Sequence, residues 1–229
     1  MFDTQRVPVK VYRWDDEGAP QVESAAGSIK TILKACLITG YGEGNKRKDG
    51  LGWEMAFEKT QEACFRSKHP KATKWWLGVD DSKYRSGSRY VDLCGLLEPT
   101  SAKAGKVKQK VNNSSGFHNF IYKTNDDSRD KIQWVVVGNE RAFTLIILWR
   151  DYCSFFIFGN FSSLAVADAA NTLLGYVSDV DENFIYGSGN EVVIFVVPMR
   201  DYKGDAPSSL SLTSKADGNY GSYPNPITG

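Results

Sequence analysis

The chain has 229 residues, enough for one large domain or two small ones with a core that needs no covalent or metal staple. Lys and Arg number 28 against 27 Asp and Glu, so a formal charge of +1 offers no long-range field to draw it onto nucleic acid or an anionic membrane. The longest apolar run, Ile185 to Pro198, is broken by Ser188, Asn190 and Glu191 and falls short of the roughly 20 residues of a membrane span.

Val7 to Trp14 alternates with the period of a strand, and Asp15-Asp16-Glu17-Gly18-Ala19-Pro20 stops it with turn-forming residues. Ser28 is placed to cap a helix through Leu37, with Ile29, Ile32, Leu33, Cys36 and Leu37 on one face, Lys30 and Lys34 toward water, and Gly40 as its stop. Strands are predicted at Trp53 to Phe57, Ala63 to Arg66, Trp75 to Val79 and Tyr90 to Leu93, with short connections that favour an antiparallel meander. Pro99 to Ser115 carries Lys103, Lys106, Lys108 and Lys110 among small polar residues and reads as an exposed, mobile loop.

A second strand group is predicted at Phe117 to Lys123, Gln133 to Val137, Ala142 to Trp149 and Cys153 to Phe158. Gly138-Asn139-Glu140-Arg141 forms a hairpin turn within it. The strand from Ala142 is apolar on both faces and should be central. Leu164 to Leu174 suits a second short helix, capped by Ser162 or Ser163 and stopped by Gly175, and a last strand covers Val192 to Val197. The expected fold is α+β, an antiparallel β-rich core with two short helices in a single domain over 1–200, either undivided or as two β sub-lobes meeting near 98–116. Residues 201–229 form a Gly/Ser/Pro-rich C-terminal arm.

The groups that carry chemistry elsewhere are poorly arranged for it here. Gly40-Tyr41-Gly42-Glu43-Gly44 follows a helix, whereas a phosphate-cradling loop follows a strand and opens a helix, so it reads as a flexible connector. Lys46-Arg47-Lys48 and the lysines from Lys103 to Lys110 lack interleaved aromatics for base stacking and read as solvated loop charge. His69 is assigned to a loop and His118 to a strand, neither beside a nucleophile motif. Asp80-Asp81, Asp126-Asp127 and Asp179-x-Asp181-x-Asn183 are assigned to turns or caps. The last imitates a calcium loop, but Phe184 stands where the sharp turn uses Gly. Cys36, Cys64, Cys94 and Cys153 are too widely spaced for a zinc or redox pair and are expected as buried free thiols. No cofactor, metal or catalytic residue is assigned. Met1 to Gln5 lacks a secretory n-region and h-region, so the chain is expected to stay in the cytosol where it is made.

The order of its motifs resembles a family of tailed-bacteriophage virion structural proteins. The carriers are Val11-Tyr12-Arg13 with Gly18-Ala19-Pro20; Gly27-Ser28-Ile29 through Cys36-Leu37-Ile38-Thr39-Gly40-Tyr41-Gly42; Gly52 to Phe57; Leu77 to Asp81; Trp134 to Phe143; and Phe156 to Ser163 with Asp168 to Thr172. The resemblance implies a non-enzymatic assembly subunit of the head, neck, tail or baseplate, made in the bacterial cytoplasm and resident in the virion. Its implied partners are other virion proteins and copies of itself, without specific nucleic acid or membrane. Members of that family continue past a segment similar to Tyr223 to Gly229, which implies either a shorter member or a missing C-terminal part.

Terminal arms that bind neighbours by strand addition or wrapping suit such a subunit. Trp75, Trp76 and Tyr84, with Tyr220 and Tyr223 in the arm, are the candidate interface residues, core packing being an equal alternative for the tryptophans. The 13% aromatic content also motivates a host-surface or glycan-binding module. A cell-wall hydrolase built on paired carboxylates is the third reading, requiring two of them to converge in a deep pocket.

Overall fold

The computed structural model describes residues 8–22, 25–70, 72–85, 88–109, 120–125, 132–149, 152–161, 172–181, 192–197, 209–210 and 227–228. Two six-stranded antiparallel sheets dominate it. One contains β2 (Glu54–Ala56), β3 (Glu62–Arg66), β4 (Trp76–Arg85), β5 (Ser88–Ser101) and β6 (Ala104–Gln109) in that order, with β7 (Phe120–Asn125) also pairing β5. The other runs β1 (Lys10–Arg13), β8 (Gln133–Gly138), β9 (Ala142–Trp149), β10 (Tyr152–Phe161), β11 (Thr172–Asp181) and β12 (Val192–Val197). Each sheet thus borrows a strand from the far part of the sequence: β1 joins the later strands and β7 the earlier ones. A two-residue pairing of Ser209–Leu210 with Ile227–Thr228 is all that is described of the C-terminal arm.

The meander, the second strand group and the central place of β9 follow the alternation of the sequence. In β9 Phe143, Leu145 and Ile147 are buried, while Thr144 and Ile146 on the opposite face are partly exposed. The turn before it closes as predicted, because the Asn139 carboxamide oxygen accepts from the Arg141 and Ala142 amides and ties the backbone into a tight loop. One core collects both sheets and the helix. Trp53, Phe143, Phe156 and Phe158 pack ring against ring, Trp53 to Phe143 at 5.3 Å. Ile29, Ile32 and Leu33 are fully buried in the same core, and each such side chain contributes about 1.5–3 kcal/mol of transfer free energy.

The helix differs from expectation in its cap, its end and one of its lysines. α1 spans Ser28–Lys34 and continues as a π-turn, Ala35–Thr39, closed by the Gly40 amide donating to the Ala35 carbonyl at 2.7 Å. Ser28 is the first helical residue and not the cap; the cap position is Gly27, at φ 92°, which has no side chain to give. The acceptor comes from β4, where the Asp81 carboxylate takes the Ile29 amide at 2.8 Å and the Lys30 amide at 3.3 Å. At the other end, the Cys36 and Leu37 carbonyls are satisfied by the amides of Leu51 and Trp53 as the chain returns. Lys30 does not face water: it is buried against Glu58, 3.2 Å away, which also binds Lys34.

Two further expectations are corrected. Pro99 to Ser115 is not a mobile loop as far as Gln109, because Pro99 to Gln109 completes β5, turns at Ala102-Lys103 and returns as β6; residues 110–115 lie outside the described residues. The polar composition misled because β6 is an edge strand with little to bury. The predicted helix from Leu164 falls on residues outside the described ones as far as 171, and its last residues, Thr172 to Leu174, begin β11, with its supposed stop Gly175 inside that strand. Pairing with β10 on one side and β12 on the other overrides the helical reading there.

Candidate interaction surfaces

The adjacent carboxylates Asp80 and Asp81 sit in β4, not in a turn, and strand alternation sends them to opposite faces of the sheet. Asp81 points into the core. Besides capping α1, it meets the Lys123 ammonium of β7 at 2.7 Å, with both side chains 1% exposed, and that ammonium also donates to the Ala25 carbonyl. Burial pushes the Asp81 carboxyl up, and the Lys123 ammonium with the Lys30 and Ile29 amides pulls against it.

Asp80 lies on the other face, directly opposite Glu62 of β3 in register. Like charges so placed repel, and Lys103 from the β5–β6 turn answers both, pairing with Glu62 and with Asp80, the latter at 3.1 Å. Burial works to raise the Asp80 carboxyl, yet the Ser82 hydroxyl and amide and the Lys103 ammonium hold it below the usual range. This pair does converge, but on a lysine rather than in a pocket. The turn itself is seated beside them. Ala102 is 2% exposed in a small satellite core with Cys64, Cys94 and Leu96. Cys64 and Cys94 flank Gly78 in register, and their thiols donate to the Ser101 and Ala102 carbonyls at 3.6 and 3.8 Å. A side chain at Gly78 would collide with the Ala102 carbonyl, so glycine is required for the turn to lie flat. Burial pushes the Cys64 thiol up to about 12.

The glycine loop is a clasp and not a flexible connector. Gly40, Gly42 and Gly44 all have positive φ, Tyr41 and Lys48 pair across the loop, and Gly50 sits so close to the Ile38 carbonyl that a Cβ would come within 2.5 Å of it. Its side chains reach across to β1. The Lys48 ammonium donates to the Val11 carbonyl at 3.0 Å and to Asp16 at 2.7 Å; Asp16 also accepts from the Tyr41 hydroxyl at 2.6 Å and from the Arg13 amide at 2.7 Å. Burial opposes it, yet these donors hold the Asp16 carboxyl below the ordinary range. Lys48 is therefore structural, whereas Lys46 and Arg47 are exposed as expected.

The remaining predicted groups fall as follows. His69 is in a loop with its Nε2 3.5 Å from Glu140; His118, Asp126 and Asp127 lie outside the described residues. Asp179 and Asp181 belong to β11 rather than a turn, opposite Ser154 and Tyr152, while Asn183 lies outside the described residues. All four cysteines are thiols outside any disulfide; Cys36, Cys64 and Cys94 are buried and Cys153 is only partly so. Trp75 packs against the main core and Trp76 against the satellite core, with the Arg66 guanidinium 4.5 Å above the Trp76 ring. Tyr84 is placed in β4 opposite Arg89; Tyr220 and Tyr223 lie outside the described residues. An open cavity of about 240 Å³ is lined by Pro8, Lys10, Leu51, Asn139 and Glu140. No helix among the described residues is long and apolar enough to cross a membrane.

Sequence reasoning missed the surface that the second sheet turns outward. Val11 stands opposite Val137, Val137 opposite Thr144 and Thr144 opposite Ile157; the next rows set Val135 beside Ile146 and Gln133 beside Leu148. Val11 is 46% and Leu148 39% exposed, Val9 just before β1 is 57% exposed, and Val135, Val137, Ile146 and Ile157 are partly exposed. The two-faced apolarity of β9 was the available signal, taken only as a mark of centrality. Comparison with protein-family models, with curated proteins and with solved structures finds no match for this chain.

Proposed function

We propose that the chain is a non-enzymatic assembly subunit of a tailed-bacteriophage particle, acting through contacts with copies of itself and with other virion proteins. The observation that carries the assembly part is the apolar outer face of β1, β8, β9 and β10, where aliphatic side chains from four neighbouring strands form one surface open to solvent. Contiguous apolar surface of this kind marks sites where proteins meet. The ordered resemblance of its motifs to virion structural proteins supplies the particle. In support, the described carboxylates Asp16, Glu58, Glu62, Asp80 and Asp81 all engage lysines within the fold, a use of charge that serves rigidity.

Mass spectrometry of purified virions from lysates of a host carrying the gene tests this reading, with the protein expected at a stoichiometric copy number. A chain that stays monomeric at high concentration and is absent from particles overturns it. Val11→Asp with Leu148→Asp should reduce self-association or incorporation while leaving the thermal midpoint within a few degrees of the parent, because both side chains already reach solvent, at 46% and 39% exposure.

A further inference from the structure

Sheet edges leave every second residue's N–H and C=O without a ladder partner, so each edge must be covered, shortened or left open to another chain. Two edges of this fold are closed. The outward groups of β1 at Val11 and Arg13 are taken by Lys48, Asp16 and Tyr41. β2 is only three residues long. β6 differs from these two: like β12 it is six residues long and pairs a single neighbour, and its outward backbone groups have no partner among the described residues. Its placement is nonetheless rigid, since the turn leading into it is held by Ala102 over Gly78 and by Lys103 on Glu62 and Asp80.

The side chains of β6 say what kind of strand fits there. Lys106 and Lys108 project from one face and Val107, 40% exposed, from the other. The internal partner of Lys106 is Glu98 at 3.2 Å, and those side chains are 69% and 65% exposed, so solvent screens the pair. A second copy of β6 laid antiparallel would bring lysines against lysines, which disfavours self-pairing. We infer that β6 is a strand-accepting edge for an extended acidic segment of a partner protein, one with Asp or Glu on either side of an apolar residue. Backbone hydrogen bonds supply the attachment, the two lysines select the charge and Val107 meets the apolar residue. The inference rests on the assembly reading only in taking the donor to be a neighbouring particle protein.

The probe is a fluorescent peptide, acetyl-Thr-Glu-Val-Glu-Val-Thr-amide, titrated into the full chain beside a version with Lys for Glu and a scramble with the glutamates adjacent. Saturable binding of the alternating acidic peptide is expected, at least tenfold tighter than either control, with slowed amide exchange at Gly105 to Lys108. The double variant Lys106→Glu, Lys108→Glu, whose altered side chains are solvent-exposed, should unfold within a few degrees of the parent, the exposed Glu98 now facing a like charge, and reverse the preference toward the Lys peptide. No saturable binding, equal affinity for the scramble, or exchange protection confined to other strands overturns the inference. If the peptide protects β6 while the chain is absent from virions, the edge stands and the assembly reading falls. If the chain is present in virions and binds no peptide, the assembly reading stands and the edge falls.

Discussion

Asp80 and Asp81 are consecutive residues of the same type, and the strand between them makes one the centre of a buried lock and the other the base of a surface latch. On the inner side Asp81, Lys123, Ala25 and the first amides of α1 join helix, β4 and β7 with almost no solvent access. On the outer side Asp80, Glu62 and Lys103 hold a hairpin turn whose lysine is 44% exposed. The same pairing chemistry therefore has unequal consequences. The carboxylates are shielded on both sides, Asp81 at 1% and Asp80 at 4% exposure, but the inner lysine is 1% exposed and the outer one 44%, so only the outer cation has water to turn to.

The largest expected effect falls on the inner side. Lys123→Met leaves Asp81 buried without its cation and should cost about 3–5 kcal/mol, read as a lowered urea midpoint. Adding Asp81→Asn should recover part of the loss. A double variant as unstable as the sum of the singles would show that the two residues do not act as a pair. Gly78→Ala acts on the outer side through sterics, since the new Cβ meets the Ala102 carbonyl and lies 2.8 Å from the Cys94 sulfur. A loss of about 1–3 kcal/mol is expected from overpacking, with Cys64 and Cys94 reacting faster toward a thiol reagent because the turn is lifted off them. Unchanged thiol rates would argue that the turn is not what shields them.

Lys103→Met removes a half-exposed lysine but leaves Asp80 and Glu62, 4% and 12% exposed, facing each other without it, and should cost about 1–3 kcal/mol, while raising amide exchange in Ala104 to Val107. Its pH dependence is the finest test. The Asp80 carboxyl lies below its ordinary value in the fold, so its contribution is present above about pH 4 and is lost as the pH falls through the lowered value. The stability gap between parent and Lys103→Met should therefore close toward acid, whereas a gap that stays constant with pH would mean that Lys103 acts through packing.

Much of this architecture was legible from alternation and turn chemistry. The meander, the hairpin at Asn139 and the central β9 depend on neighbours close in sequence, which local patterns encode. The α1 cap was not legible: the acceptor lies fifty-two residues beyond Ile29, and Ser28 offered a plausible local substitute. Lys30 looked like a solvated lysine because nothing nearby announced that Glu58 would fold against it. β6 looked like a loop because an edge strand with one neighbour needs little apolar character, and Thr172 to Leu174 looked helical because pairing with β10 and β12 is invisible to a local window.

What the sequence determined by itself is where most of the central strands lie and which of their faces are apolar, since these follow from side-chain period and backbone preference. The tertiary structure decided which edges stay open and which charges are buried. Asp16, Tyr41 and Lys48 close β1, and Lys103 and Ala102 fix β6, whose outer edge has no partner among the described residues. Those outcomes depend on desolvation and on contacts between distant segments, and no residue's own chemistry specifies which remote partner will reach it.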